Sequence, residues 1–208
     1  MNTVKPVVAV PTVIALCGPA GSGKSTVANY LVEKYGAQRY GFATPLKEMV
    51  KNALDLTEEQ VYGTQAQKEE VDPRYGHSAR WFLQRIGTEG CRHTFGEDFW
   101  TKQCLEMILR QNQRLCVIED TRFINESHAV LDEGRIQGFV WRLHPVVDAE
   151  SEARAAAAGT HASEEEWRRL DANLEIQPEK RGVPELLALV DKAMEWIPLR
   201  EPGVGVRW

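Results

Sequence analysis

The chain has 208 residues, enough for one hydrophobic core with insertions and too few for two independent domains of ordinary size. Leu, Ile, Val and Phe supply 50 of these, which excludes a disordered or fibrous chain. With 30 acidic residues against 25 basic ones the net charge is −5, so no global positive field draws the protein onto nucleic acid or anionic lipid, and any bound anion must be held locally.

The longest apolar stretch, Val7 to Cys17, is interrupted by Pro11 and Thr12 and is too short for a bilayer, which takes roughly 20 residues. Lys5 is the only early positive charge and no small-residue cleavage pattern follows it, so the expected compartment is the cytoplasm. Cys17, Cys91, Cys104 and Cys116 lie 74, 13 and 12 residues apart with no C-x-x-C among them. This argues against a zinc ribbon or disulfide framework and for reduced, packed thiols.

In chain order, the run Val13 to Cys17 predicts a strand leading through glycines into a helix from Ser25 to Tyr35. A short strand is expected at Arg39 to Phe42, then a helix capped by Thr44 with Pro45 in its first turn. Thr57-x-x-Gln60 has capping-box spacing, and the charged stretch Gln65 to Arg74 after it reads as mobile surface. Helices are expected over Ser78 to His93 and Asp98 to Gln113, buried strands at Leu115 to Ile118 and Phe139 to Leu143, and a crossover helix at Glu126 to Glu133. Ala149 to Gly159 and the capping-box spacing Ser163-x-x-Glu166 suggest a polar helical excursion. A last strand at Leu174 to Ile176 and an amphipathic helix from Pro184 to Ile197 close the pattern, leaving a loose C-terminal tail. Alternating strands and helices imply an α/β fold with a parallel sheet covered on both faces. Two polar insertions interrupt it, at about 44–96 and about 144–168, leaving a core of about 12–43, 97–143 and 169–198.

Gly18-Pro-Ala20-Gly21-Ser22-Gly23-Lys24-Ser25 satisfies G-x-x-x-x-G-K-[ST] between a predicted strand and a predicted helix. Glycines let backbone N–H groups turn inward around phosphate oxygens, the following helix presents its positive end, and Lys24 adds a charge near the β and γ phosphates. Ser25 would hold Mg²⁺, with Thr26 closing the loop. A carboxylate at the end of a neighbouring strand must help with the metal. Asp120 is the first choice and Glu119 the second, since alternation turns only one of them toward the phosphates.

The helix from Ser78 suggests the acceptor. Stepping about 100° per residue gathers Arg80, Gln84, Arg85, Thr88 and Arg92 on one arc, with Trp81 among them, and Phe82, Leu83 and Ile86 on the other. Arginine forks suit a phosphate and a carboxamide suits a base edge, so this face fits a small phosphorylated, base-bearing molecule. The plainer alternative is a solvated face with Glu89 pairing Arg85 at i, i+4.

These segments resemble the deoxynucleoside monophosphate kinases of tailed bacteriophages: GPAGSGKSTVANYL at 18–31, FATPLKEMV at 42–50, LQRIGTEGCR at 83–92 followed by Trp100, IEDTRFINE at 118–126 and HASEEE at 161–166. The resemblance implies a three-layer fold of the adenylate-kinase type, with an acceptor-binding insertion and a lid. It implies transfer of the ATP γ-phosphate to a dNMP, with ATP and Mg²⁺ as cofactors, in the host cytoplasm. On that reading Lys24, Asp120, Arg122 and Arg142 are catalytic, with Arg154 an alternative lid arginine, and Lys47, Arg80, Gln84, Arg85, Thr88, Glu89, Arg92 and Trp100 bind the acceptor. Tyr40 and Phe42 line either the nucleoside pocket or the core, and His161 is a surface or hinge residue. The chain departs from the family at Ser25, where many members carry Asp, and at Thr44, where the usual motif reads F-A-D-P-L-K. Other readings are a kinase of a different phosphorylated acceptor, such as dephospho-coenzyme A or phosphomevalonate, and a non-enzymatic nucleotide-binding module. No nucleic-acid or membrane partner is expected, and a homodimer is left open.

Overall fold

The computed structural model describes residues 10–19, 21–145, 166–179 and 182–199. The expected excursion at 149–159, the Ser163 box, the C-terminal tail and most of the 144–168 insertion, with Arg154 and His161, lie outside these residues, as does Ala20. The chain divides into two compact units, Met1–Gly41 with Ile108–Trp208, and Phe42–Met107.

In the first unit, strands β1 (Thr12–Cys17), β2 (Gln38–Tyr40), β5 (Leu115–Ile118), β6 (Gln137–Leu143) and β7 (Leu174–Ile176) form one parallel sheet ordered β2-β5-β1-β6-β7. All six residues of β1 are buried, as a central strand covered on both faces requires. Strand alternation sorts the two faces. Ile14, Leu16, Val117, Trp141 and Leu143 pack with Val27, Ala28 and Leu31 of helix α1 (Lys24–Tyr35) and with Leu186, Val190, Ala193 and Met194 of α9 (Val183–Glu195). Val13, Ala15, Cys116, Ile118 and Val140 fill the opposite face. There α8 (Ile124–Asp132) lies so close to β6 that a Cβ on Gly138 would fall 1.9 Å from the Val130 carbonyl oxygen. The result is helix, sheet and helix in three layers.

The ends of α1 follow from sequence. Gly36 stops it in the left-handed region (φ 69°), its N–H donating to Val32 while Ala37 N–H donates to Leu31, which satisfies carbonyls of the last turn. Across the layer, Asp191 of α9 accepts from Tyr30, Lys34 and Tyr35 of α1 at 2.7–2.9 Å. The Lys34 ammonium, then Tyr35 and Tyr30, hold the Asp191 carboxyl below its ordinary value, and burial with the same carboxylate pushes the Tyr35 phenol up to about 12.

The second unit has its own core of Leu46, Val50, Leu56, Val61, Ala79 and Trp100. Its elements are α2 (Thr44–Leu54), α3 (Glu58–Tyr62), α4 (Gln65–Glu69), the hairpin β3 (Val71–Asp72) and β4 (His77–Ser78), α5 (Ala79–Gln84), a π-helix over Arg85–Arg92, α6 (His93–Phe95) and the first part of α7 (Phe99–Gln111). The Thr57 box forms as expected. Three expectations are corrected here. Helix α2 is capped by Ala43 without a side-chain bond, leaving Thr44 inside its first turn. The stretch 65–74 is mostly exposed, as surface, but it carries regular structure: Thr64 and Gln67 form a second capping box, and buried Asp72 accepts from Gln60 and Arg74. The Arg74 guanidinium, then the Gln60 amide, hold the Asp72 carboxyl far below the carboxylate range. Third, the helix from Ser78 to His93 is α-helical only to Gln84. The Gly87 carbonyl is taken by the Trp100 indole N–H at 2.9 Å, and Gly87 leaves no room for a Cβ beside Leu46, so the backbone widens to i→i+5 pairing.

Candidate active site

The phosphate loop joins the C-terminal end of central β1 to α1. In an α/β sheet this is the crevice where the strand order reverses, because β5 lies on one side of β1 and β6 on the other. Gly18 has φ 143°, and a Cβ there would lie 2.4 Å from the Leu143 carbonyl oxygen and 2.8 Å from Ser22 Oγ. Gly21 and Gly23 have φ 77° and 90°, the left-handed region that side chains avoid. Gly23 is the N-cap of α1 and brings no side-chain acceptor, so the first N–H groups of the helix are left to a ligand. The Ser22 hydroxyl is buried without a hydrogen-bond partner among the described residues. Lys24 Nζ donates to the carbonyls of Gly18 and Pro19, 2.7 Å each, and so curls over the loop. A cationic rim, the N-terminal end of a helix and a buried hydroxyl with no partner among the described residues suit phosphate oxygens.

Ser25 Oγ lies 3.5 Å from Glu119 Oε2. Asp120 was expected first, and Glu119 second, as the direct or indirect Mg²⁺ partner; the carboxylate beside the Ser25 hydroxyl is that of Glu119. Strand parity is the reason: Glu119 continues the face of Val117, which looks toward α1, and Asp120 continues the face of Ile118. Asp120 packs against Gly41, where a Cβ would approach its Oδ2 to 2.7 Å. A hydroxyl and a carboxylate oxygen are a hard donor pair suited to Mg²⁺, with phosphate oxygens and water completing the shell. The described residues contain no group of three or more His, Cys, Asp or Glu side chains that would cage a metal by itself.

Arg122 follows the same strand. Its backbone N–H and that of Phe123 donate to buried Glu126 at 2.7 and 3.1 Å, which fixes the turn while the guanidinium stays exposed. Arg142 is placed differently. It sits on the sheet face opposite α1, where it ion-pairs with Glu175 at 2.6 Å, donates to the Leu170 carbonyl and leaves Nε buried without a partner. His144 holds the other oxygen of Glu175 at 2.5 Å. In this structure Arg142 is a tie between β6 and β7. Cys17 lies beside it, and burial pushes its thiol up to about 11.

The acceptor residues expected from the helical wheel fall in the second unit. Arg80 pairs with Glu69 at 3.8 Å, and Arg85 pairs with Glu89 and lies over the Trp81 ring, whose face stacks on His77 at 3.9 Å. Gln84 and Thr88 are exposed. In the π-helix each residue advances by less than 100°, so Arg92 falls at a different angle from the one the wheel predicts. It is half-buried, with Nε lacking a partner, and makes no ion pair among the described residues. Lys47 lies 4.8 Å from the Tyr62 ring centre. Trp100 is core, 4% exposed, as are Tyr40, which donates to Gln111, and Phe42. Arg39, which sequence reasoning passed over, ion-pairs with Glu119; the signal was its parity with Val117 in the β2–β5 register.

A parallel three-layer sheet with this loop at its central strand defines a P-loop nucleotide-binding protein. The profile of the family described as deoxynucleotide monophosphate kinase matches residues 12–77. A protein of Acanthamoeba polyphaga mimivirus, provisionally named a deoxynucleotide monophosphate kinase, is 34% identical over 173 residues, spanning 76% of this chain and 82% of its own. The chain belongs to the deoxynucleotide monophosphate kinase family. Among solved structures it is distantly similar to shikimate kinase from Aquifex aeolicus (18% identity, 88% of this chain and 96% of that one, TM-score 0.45). It is likewise similar to dephospho-CoA kinase from Campylobacter jejuni (14% identity, 90% and 97%, TM-score 0.48).

Proposed function

We propose that the protein transfers the γ-phosphate of ATP to a deoxynucleoside monophosphate, giving ADP and a deoxynucleoside diphosphate. The observation that supports this most is the loop itself: Lys24 and Ser25 at the start of α1 with Glu119 at the Ser25 hydroxyl, in a chain of this family.

The second pKa of a phosphate monoester is about 6, so the acceptor oxygen is already ionised at neutral pH and needs no general base. Positioning and charge then carry the reaction. The α1 N–H groups and the loop backbone hold the phosphates of ATP, and Lys24 turns from its two carbonyls toward the β and γ oxygens. When bound between Ser25, Glu119 and the phosphates, Mg²⁺ would neutralise charge on the β and γ oxygens; Asp120 stands next to this pair. Arg122 brings an exposed guanidinium, with no ion pair among the described residues, to the end of β5. Arg92 is the acceptor arginine on this reading, because Arg80 and Arg85 are already paired with Glu69 and Glu89. Arg142 would act in transfer only by leaving Glu175.

ADP release measured with ATP, Mg²⁺ and each of dAMP, dGMP, dCMP, dTMP and their ribose counterparts tests the proposal. Turnover with at least one deoxynucleotide is expected. Turnover only with dephospho-coenzyme A or phosphomevalonate, or ATP hydrolysis stimulated by DNA without transfer to any monophosphate, would overturn it.

A further inference from the structure

Arg39 lies outside the phosphate loop, yet its side chain ends at the carboxylate beside Ser25. Strand β2 pairs with β5 so that Arg39 stands level with Val117, on the face that looks toward α1. Glu119 continues that face two residues on. Arg39 Nη1 donates to Asn29 Oδ1 of α1 at 2.7 Å, which fixes the guanidinium from the helix side. Nη2 donates to Glu119 Oε2, the same oxygen that lies 3.5 Å from Ser25 Oγ. One carboxylate oxygen is therefore shared between the loop hydroxyl and a permanent positive charge. The two side chains are 37% and 29% exposed, and ion pairs this accessible contribute little to folding. Stability alone gives no reason for a cation at this oxygen.

We propose that Arg39 is a placeholder cation: its guanidinium occupies the Glu119 oxygen that a divalent cation would take, keeps the carboxylate turned to Ser25, and bars the cation until a nucleotide's phosphates arrive with it. The inference rests on the nucleotide-and-cation reading given above. Two effects of Arg39 oppose each other, and their sizes decide the sign. Holding the Glu119 rotamer favours a cation by about two- to five-fold, the entropy of one fixed side chain. A single charge beside a double one disfavours it on the order of thirty-fold even with water-like screening. Repulsion wins, so the nucleotide-free protein binds divalent cations weakly because of Arg39. Bound phosphates add negative charge and further oxygen ligands, enough to displace the guanidinium from the shared oxygen.

Titrating Mn²⁺ into the nucleotide-free full chain, with free Mn²⁺ read by electron paramagnetic resonance, tests this without turnover. Arg39→Met should bind Mn²⁺ about six- to fifteen-fold more tightly than the natural chain, and Arg39→Lys, which keeps the charge, within about two-fold of it. The gain should vanish in the Arg39→Met, Glu119→Gln double variant. Unchanged or weaker Mn²⁺ binding in Arg39→Met with a native circular dichroism spectrum would overturn the proposal, as would a gain that survives in the double variant. Should Arg39→Met fail to fold, Arg39→Gln is read by the same criteria. Metal-free ATP binding by the natural chain, measured separately, checks the nucleotide reading; its failure leaves the Mn²⁺ comparison intact.

Discussion

Replacing Gly18 by alanine tests the loop through one atom. The new methyl would sit 2.4 Å from the Leu143 carbonyl oxygen, about 0.6 Å inside the 3.0 Å that real Cβ contacts respect. Leu143 pairs with Ile176 in the sheet, so this carbonyl cannot swing aside like the end of a long side chain. The φ of 143° adds strain for an L-residue, about 1–3 kcal/mol, and displacing packed backbone adds about 1–3 kcal/mol. The sum is roughly 2–6 kcal/mol. If the loop relieves it by leaving its native path, ATP affinity falls about 30-fold or more. Gly21→Ala is the matched control: its φ is 77°, but a methyl there meets nothing within 4 Å, so the strain stands alone and the loss should stay near ten-fold. Calorimetric titration with ATP, alongside urea unfolding, reads both variants. Equal losses in the two, or natural ATP affinity in Gly18→Ala, would refute the close-contact argument.

Lys24→Ala should reduce phosphoryl transfer to every acceptor by at least about a thousand-fold while the urea midpoint stays put, because the loop lysine stabilises charge rather than the fold. Arg92→Ala should raise the monophosphate KM or lower kcat by ten-fold or more with ATP binding nearly intact, and Arg80→Ala should do much less; steady-state kinetics separates them. Leu31→Ala empties a fully buried site between α1 and the sheet and should cost about 2–5 kcal/mol in chemical denaturation. The Asp191 carboxyl lies below its ordinary value of 3.8 in the folded chain, so its contribution is present above pH 4 and is lost as pH falls through the lower, folded value. Asp191→Asn should therefore lower stability at neutral pH and flatten the acid limb of a stability–pH profile, with little difference left in strong acid.

The strand, loop and start of α1 were legible because glycines, lysine and serine answer a local requirement that short-range sequence states outright. The parallel sheet was legible for a similar reason: β1 and β5 are buried on both faces. The failures come from interactions across the chain. Thr64-x-x-Gln67 repeats the capping spacing of Thr57-x-x-Gln60, but charged neighbours hid it, and buried Asp72 becomes sensible only once Gln60 and Arg74 converge on it. The π-helix depends on Trp100 reaching the Gly87 carbonyl from thirteen residues away, which no helical wheel contains. The choice between Glu119 and Asp120 needed the β2–β5 register and the face occupied by α1. Arg142 stood at the end of a strand as predicted, but its partner Glu175 comes from β7, and that pairing decides where the guanidinium goes.

The four thiols have a practical side. Cys17, Cys104 and Cys116 are buried, and burial pushes the first and last up to about 11 and about 12, so an alkylating dye at neutral pH meets almost no thiolate at either. Cys91, half-buried, sits within the π-helix, one residue before Arg92. Cys91 is the least buried of the four and stands beside the arginine on which the acceptor assignment turns, so a dye offered to the unmutated protein should label it first, and mass spectrometry of the labelled peptide checks this.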